Sequence, residues 1–364
     1  MIMEKIRREG PMSFHDFMEI SLYWPGSGYY SSDPEKIGKS GDFYTSPYFS
    51  SLFGRLLARQ FEEMWAVLGR QPFTIVEYGA GSGLLCRDIL LCLRANKELY
   101  KQLRYVIIEK SHPMREKERA LLSAAITDAS PELGSPLEKV RWVDSIREVA
   151  PVNGCIFSNE LLDNFSVHRV LMDKELMEIY VDYDGEFSET LRPARPELKN
   201  YLRELGVALP RGYRTEINLQ ALNWIRDIGV ALNKGFVLTI DYGFPNSGLC
   251  YQHHTINDRP YDNIGQQDIT AHVNFSALDH WGRLRGLQYG GFTTQANFLR
   301  GLGITNLLHE PSALPGTQQL SEREKVFLLH TFLLDMGQKF KVLLQYKGIS
   351  RPWLSGFYFT EPLA

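Results

Sequence analysis

Residues 73–89 read FTIVEYGAGSGLLCRDI, and the rest of the chain is organised around them. Phe73 to Tyr78 is an apolar run rich in β-branched and aromatic residues, which predicts a buried strand. Gly79, Gly81 and Gly83 follow at every second position. Leu84, Leu85, Ile89 and Leu90 then recur on one side of a helical period. Strand, glycine turn and helix together open a nucleotide-binding βα unit.

The glycine spacing narrows the ligand. A dinucleotide fingerprint, G-x-G-x-x-G, sets a pyrophosphate against the helix N-terminus. Its third glycine would fall where this chain has Leu84, which argues against a nicotinamide-dependent oxidoreductase. G-x-G-x-G preceded by Glu77 suits S-adenosylmethionine (SAM), which carries no pyrophosphate and whose ammonium Glu77 can face directly or through water. A second apolar strand, Arg104–Glu109 (RYVIIE), ends in Glu109, and a carboxylate there can accept both ribose hydroxyls of an adenosine.

The 364 residues, 44% of them hydrophobic, suffice for two domains or one with a large insertion. Net charge is −3, and no basic run points to nucleic acid as a partner. Cys86, Cys92, Cys155 and Cys250 form no C-x-x-C pair, so neither a zinc site nor a disulfide framework is expected, which fits a reducing compartment. The apolar runs are too short to span a membrane, and MIMEKIRREG has no apolar signal core. The expectation is a cytoplasmic, bacterial protein without membrane insertion. A homodimer is compatible with the pattern but not specified by it.

Residues 1–70 read as a mainly helical extension. Ser13 caps a helix from Phe14 that ends at Pro25-Gly26, and Phe49–Leu68 is a long amphipathic helix. Between them GDFYTSP (41–47), with Thr45, offers polar groups at a site mouth. Residues 71–164 form the first part of an α/β core. A helix is expected near 112–124 and a third strand at Arg141–Val143. Asp144 and Ser145 follow that strand, where such a site meets an adenine amino group. The fourth strand, CIFSNE, ends in Asn159-Glu160, at the carboxyl edge where ligands gather. A helix starting there would put Glu160 and Asp163 on one face, able to hold a guanidinium. Residues 165–235 read as an inserted substrate-side subdomain with a hairpin across Val170–Tyr183. Residues 236–364 complete the core and cover it, through the strand Gly235–Gly243, a helix near Glu322–Asp335 and a last strand pair ending at Gly356–Phe359.

The ordered blocks GPMSFHDFMEISLYWPGSGYYSS (10–32), GDFYTSPYFSSLFG (41–54), VEYGAGSGLLCRDIL (76–90), SNELLDNFSVHRV (158–170), IDYG (240–243), QQDITAHVNFSAL (266–278) and MGQKFKVL (336–343) resemble the MidA family of class I SAM-dependent methyltransferases. Relatives in that family include mitochondrial complex I assembly factors that methylate a protein arginine. The resemblance implies a Rossmann-like α/β core with added helices, SAM as methyl donor and a protein substrate. It carries the cofactor role onto Glu77 and Gly79–Gly83, and candidacy for the active site onto Asn159 and Glu160. Ala80 and Ser82 stand where the family often has proline and a basic residue. The expected activity is methyl transfer to a protein arginine, with Glu160 orienting the acceptor and Asp163 as its partner. A small-molecule methyltransferase and a SAM-binding assembly factor without catalysis remain as alternatives.

Overall fold

A computed structural model of the chain describes residues 1–32, 51–125, 135–245, 259–308 and 320–363. Among the described residues thirteen strands form two sheets. Eight of them build the core: β2 (Phe73–Tyr78), β3 (Leu103–Ile108), β4 (Val140–Val143), β5 (Val152–Asn159), β10 (Leu232–Phe244), β11 (Val273–Asn274), β12 (Gln288–Thr294) and β13 (Phe340–Lys347). Their order is β12-β13-β10-β5-β2-β3-β4, with β11 beside the end of β10. The strands from β10 to β4 are mutually parallel, while β13 runs antiparallel between β10 and β12. The order reverses between β2 and β5, so the crevice above their carboxyl ends is the place for a ligand.

The strand period sorts the core. Phe73, Ile75, Tyr105 and Ile107 enter one buried cluster with the helices Leu52–Val67 and Leu84–Leu93. Val76, Val106 and Ile108 enter the opposite one, with the helices Leu219–Ala231 and Phe275–Arg283. Thus the 1–70 stretch divides: its long helix covers the core sheet, and so does the last helix of the 165–235 stretch.

The smaller sheet is antiparallel and has the order β1-β7-β6-β9, with β8 on β7. Its strands are β1 (Met12–Ser13), β6 (His168–Met172), β7 (Leu176–Tyr183), β8 (Phe187–Pro193) and β9 (Arg214–Ile217). Met12 pairs with Val181 and Ser13 with Tyr180, so the N-terminal segment is stitched to the insertion. Ser13 then caps the helix Phe14–Tyr23, accepting from the Asp16 N–H at 3.1 Å. Phe14, Phe17, Met18 and Leu22 pack with Val167, Val181 and Ile269 in a third cluster.

Two expected elements differ. The helix near Glu322–Asp335 is α-helical over Glu322–His330 and continues as a π turn, Thr331–Asp335. The expected last strand at Gly356–Phe359 does not form: Ser355–Phe357 is a 3-10 turn whose Phe357 ring packs edge-on against Phe298. Among the described residues no helix is long and apolar enough to cross a membrane, and no cluster of His, Cys, Asp and Glu could hold a metal ion.

Candidate functional site

A cavity of about 1550 Å³ lies over the carboxyl ends of β2, β3, β5 and β10. It exceeds the range of about 300–1,000 Å³ usual for one small ligand, leaving space for a cofactor and an acceptor together. Gly79 and Gly81 line it with left-handed backbones, φ +67° and +57°. A Cβ at Gly81 would meet nothing within 4 Å, so the turn offers bare backbone to the cavity. Gly83 does not reach the wall: it precedes the helix Leu84–Leu93, and a Cβ there would stand 3.3 Å from the Glu118 side chain.

Glu77 is 2% exposed and accepts a hydrogen bond from the Tyr105 hydroxyl at 2.7 Å. Burial pushes its carboxyl up to about 7, against the opposing pull of that bond. Glu109 caps β3 at the cavity edge, where its carboxylate accepts from the Ser111 N–H at 2.7 Å. Burial raises it too. Arg115 donates to the Glu109 carbonyl at 2.6 Å and to the Asp144 carboxylate, fixing the rim. Asp144 is largely exposed, and the Ser145 hydroxyl accepts the Arg147 N–H at 3.3 Å, so both are partly committed to local turn structure while lining the cavity. Thr45 lies outside the described residues.

The second group of acids follows β5. The expected helix face shared by Glu160 and Asp163 does not form. Glu160 takes φ +52° and donates its N–H to the Ile240 carbonyl at 3.0 Å, and the chain then makes a single 3-10 turn, Leu162–Asn164. Glu160 is half-buried and accepts from the Asn159 amide at 3.1 Å. Asp163 is 3% exposed, and its Oδ1 has no partner among the described residues. Burial, then the Asp241, Glu160 and Asp268 carboxylates, hold Asp163 well above the ordinary range. Asp241 fixes this turn by accepting the Leu161 and Leu162 N–H groups at 3.1 and 2.8 Å. Asn159, Glu160 and Asp163 all line the cavity.

The sequence reading assigned no site role to the residues brought in from elsewhere. Tyr23 and Tyr30 come from the N-terminal segment, Trp224 from the helix Leu219–Ala231, and Asp268 and His272 from the stretch before β11. The paired aromatics of SGYYSS and the polar run GQQDITAHVNF were the available signals. Neither indicates a position in space.

Residues 56–293 match the family model described as "Putative S-adenosyl-L-methionine-dependent methyltransferase". The chain is 27% identical to "Protein arginine methyltransferase NDUFAF7, mitochondrial" of Bos taurus, over 93% of this chain and 81% of that protein. It is 26% identical to the Drosophila melanogaster homologue, over 95% and 84%. A superfamily member from Burkholderia thailandensis, crystallised with S-adenosyl-homocysteine, superposes with a TM-score of 0.82 at 31% identity, covering 99% of this chain and 94% of that one. The curated relatives carry mitochondrial names, and the cytoplasmic placement expected from the sequence is withdrawn on that finding.

Proposed function

Since the chain belongs to this S-adenosyl-L-methionine-dependent methyltransferase family, we propose that its acceptor is an arginine side chain of a protein. The observation that carries this reading is Asp163, a carboxylate 3% exposed with an unpartnered oxygen, beside Glu160, Asp241 and Asp268. An anion so placed is costly unless a cation meets it. A guanidinium presents planar N–H donors that match carboxylates. The curated relatives' names, which specify protein arginine methylation, point the same way.

The proposed cofactor residues are Glu77, Gly79, Gly81, Glu109, Asp144, Ser145 and Asn159. Bare backbone at Gly81 and a carboxylate at the end of β3 fit an adenosyl ligand. Bound SAM supplies an electrophilic methyl, which the acceptor nitrogen takes while sulfur keeps the bonding pair and the nitrogen loses one proton. Glu160 orients the guanidinium and draws its charge away from the reacting nitrogen. Asp163 sits beside Glu160 as the partner carboxylate for the guanidinium edge.

The test uses methyl-labelled SAM, an arginine-containing protein acceptor and analysis of the labelled amino acid. Methylarginine is expected, with Glu160→Gln reducing turnover about ten-fold or more while S-adenosylhomocysteine still binds. Methyl-lysine or a labelled small molecule as sole product would sink the arginine reading.

A further inference from the structure

We propose that the stacked pair Tyr23 and Tyr30, with the carboxylate of Asp268, forms an acceptor-selecting wall that admits a planar cation and rejects its neutral counterpart. This rests on the arginine reading above. The two rings lie 5.7 Å apart at 20°. Each is pinned at its far end: the Tyr23 hydroxyl donates to the Asn164 carbonyl at 2.7 Å, and the Tyr30 hydroxyl donates to Asp268 Oδ2 at 3.0 Å. Tyr29 is 99% buried and meets the Tyr30 ring edge-on at 5.0 Å, so the pair cannot swing freely. All three side chains of the wall line the cavity, as does Asp163 with its unpartnered buried oxygen.

The tyrosine face attracts a guanidinium through its quadrupole. The carboxylates take the guanidinium edge. A ureido group has the same plane and size but no charge: it loses the attraction to the ring face and the charge assistance of the carboxylate bonds, and its oxygen meets the acids acceptor to acceptor. The Tyr23 bond to Asn164 reaches the same turn that carries Glu160 and Asp163, and joins acceptor selection to acceptor orientation.

Tyr30 acts on Asp268 as a positioning residue. Burial lifts Asp268 to about 6, and the Tyr30 hydroxyl pulls it down. Tyr23 and Tyr30 face it from the N-terminal helices, and Asp163 from the turn after β5, with Glu19, Glu109, Glu160, Tyr242, His272 and Lys339 around the same cavity. Several of these titrate, so the informative quantity is a displacement between variants. Without its hydroxyl donor, Asp268 takes up a proton at higher pH and the acidic limb of the acceptor KM profile moves upward.

The experiment compares wild type with Tyr23→Leu, Tyr30→Phe and Asp268→Asn, using an arginine peptide and its citrulline counterpart. The readouts are kcat, KM across pH, calorimetric S-adenosylhomocysteine affinity and competition by citrulline peptide. The expected result is an acceptor KM raised about three- to thirty-fold with cofactor affinity unchanged, and an upward shift of the acidic limb in Tyr30→Phe. Citrulline peptide should not compete. Unchanged KM in all three variants, with methylarginine still formed, overturns the wall and leaves the arginine reading intact. Exclusive methylation of lysine with the same KM increases overturns the arginine reading and keeps a wall for cations. Methylation of a neutral acceptor overturns both.

Discussion

Glu77→Gln separates the cost of a buried charge from its use. Glu77 is 2% exposed, and its carboxyl stands near 7 rather than the ordinary 4.5 because burial disfavours the anion. In the unfolded chain it ionises near 4.5, so the ligand-free protein loses stability progressively as pH rises from about 4.5 to about 7. Above that window the loss is constant. A displacement of this size corresponds to roughly 3 kcal/mol, at about 1.4 kcal/mol per pH unit. Glutamine removes that term. Its carbonyl still accepts from Tyr105, whose hydroxyl lies 2.7 Å from the carboxylate. Its amide adds buried donors that cost about 1–3 kcal/mol if unpaired. The variant should therefore match or exceed wild type by about 0–2 kcal/mol at pH 8, and be less stable at pH 4.5. Urea unfolding of both proteins at pH 4.5, 6 and 8, with calorimetric titration of S-adenosylhomocysteine, checks it. Cofactor affinity should fall at every pH where the variant is folded. If the variant loses more than about 2 kcal/mol at pH 8 and keeps the wild-type slope, Glu77 does not carry the desolvation assigned to it.

Gly81→Ala places a methyl in open cavity and forces a left-handed alanine, at about 1–2 kcal/mol. Gly185→Ala, with φ +83° and equally open space in the β7–β8 turn, is the control. Both should lower thermal stability, but only the first should weaken S-adenosylhomocysteine binding in calorimetry. Glu178→Gln cuts a buried link between His168 Nδ1 at 2.8 Å and Arg195 Nε at 3.0 Å. Burial pushes Glu178 up, yet the hydrogen bonds from His168 and Arg195 outweigh it and its carboxyl is lowered. The resulting stability is present above the ordinary glutamate range and is lost as pH falls through it. Arg195 is 39% exposed, so the loss at pH 7 is about 1–3 kcal/mol rather than that of a fully buried pair. Unfolding curves for the variant and wild type should converge below the carboxylate range.

The parts legible in the sequence were those set by local chemistry. An apolar, β-branched run between Pro72 and a glycine turn reads as a buried strand, and β2 spans Phe73–Tyr78 as expected. The carboxyl ends of consecutive parallel strands then face one crevice, so Glu77, Glu109 and Asn159 came together without further information. What stayed hidden depended on distant partners. The helix Leu219–Ala231 has an amphipathic pattern that does not say which sheet it covers, and it lies on the core. The left-handed backbone of Glu160 follows from its bond to Ile240, eighty residues away, and no propensity announces it. Tyr23 and Tyr30 reach the cavity because a two-residue strand, Met12–Ser13, anchors their segment to β7. A pairing that short leaves no readable alternation.

The position of β13 bears on how the chain is made. Phe340–Lys347 is synthesised after every other strand, yet it lies between β10 and β12. While the ribosome is still upstream of residue 340, β10 has a partner in β5 but presents its other edge unpaired, and β12 has no neighbour at all. From the completion of β10 at Phe244 until Phe340–Lys347 is made, the nascent molecule thus carries an open, apolar seam, the condition under which sheets recruit wrong partners. Closure is a late event. A message truncated before codon 340 would yield a product with its cofactor glycines and acids present and its sheet unfinished, exposed to proteolysis and aggregation.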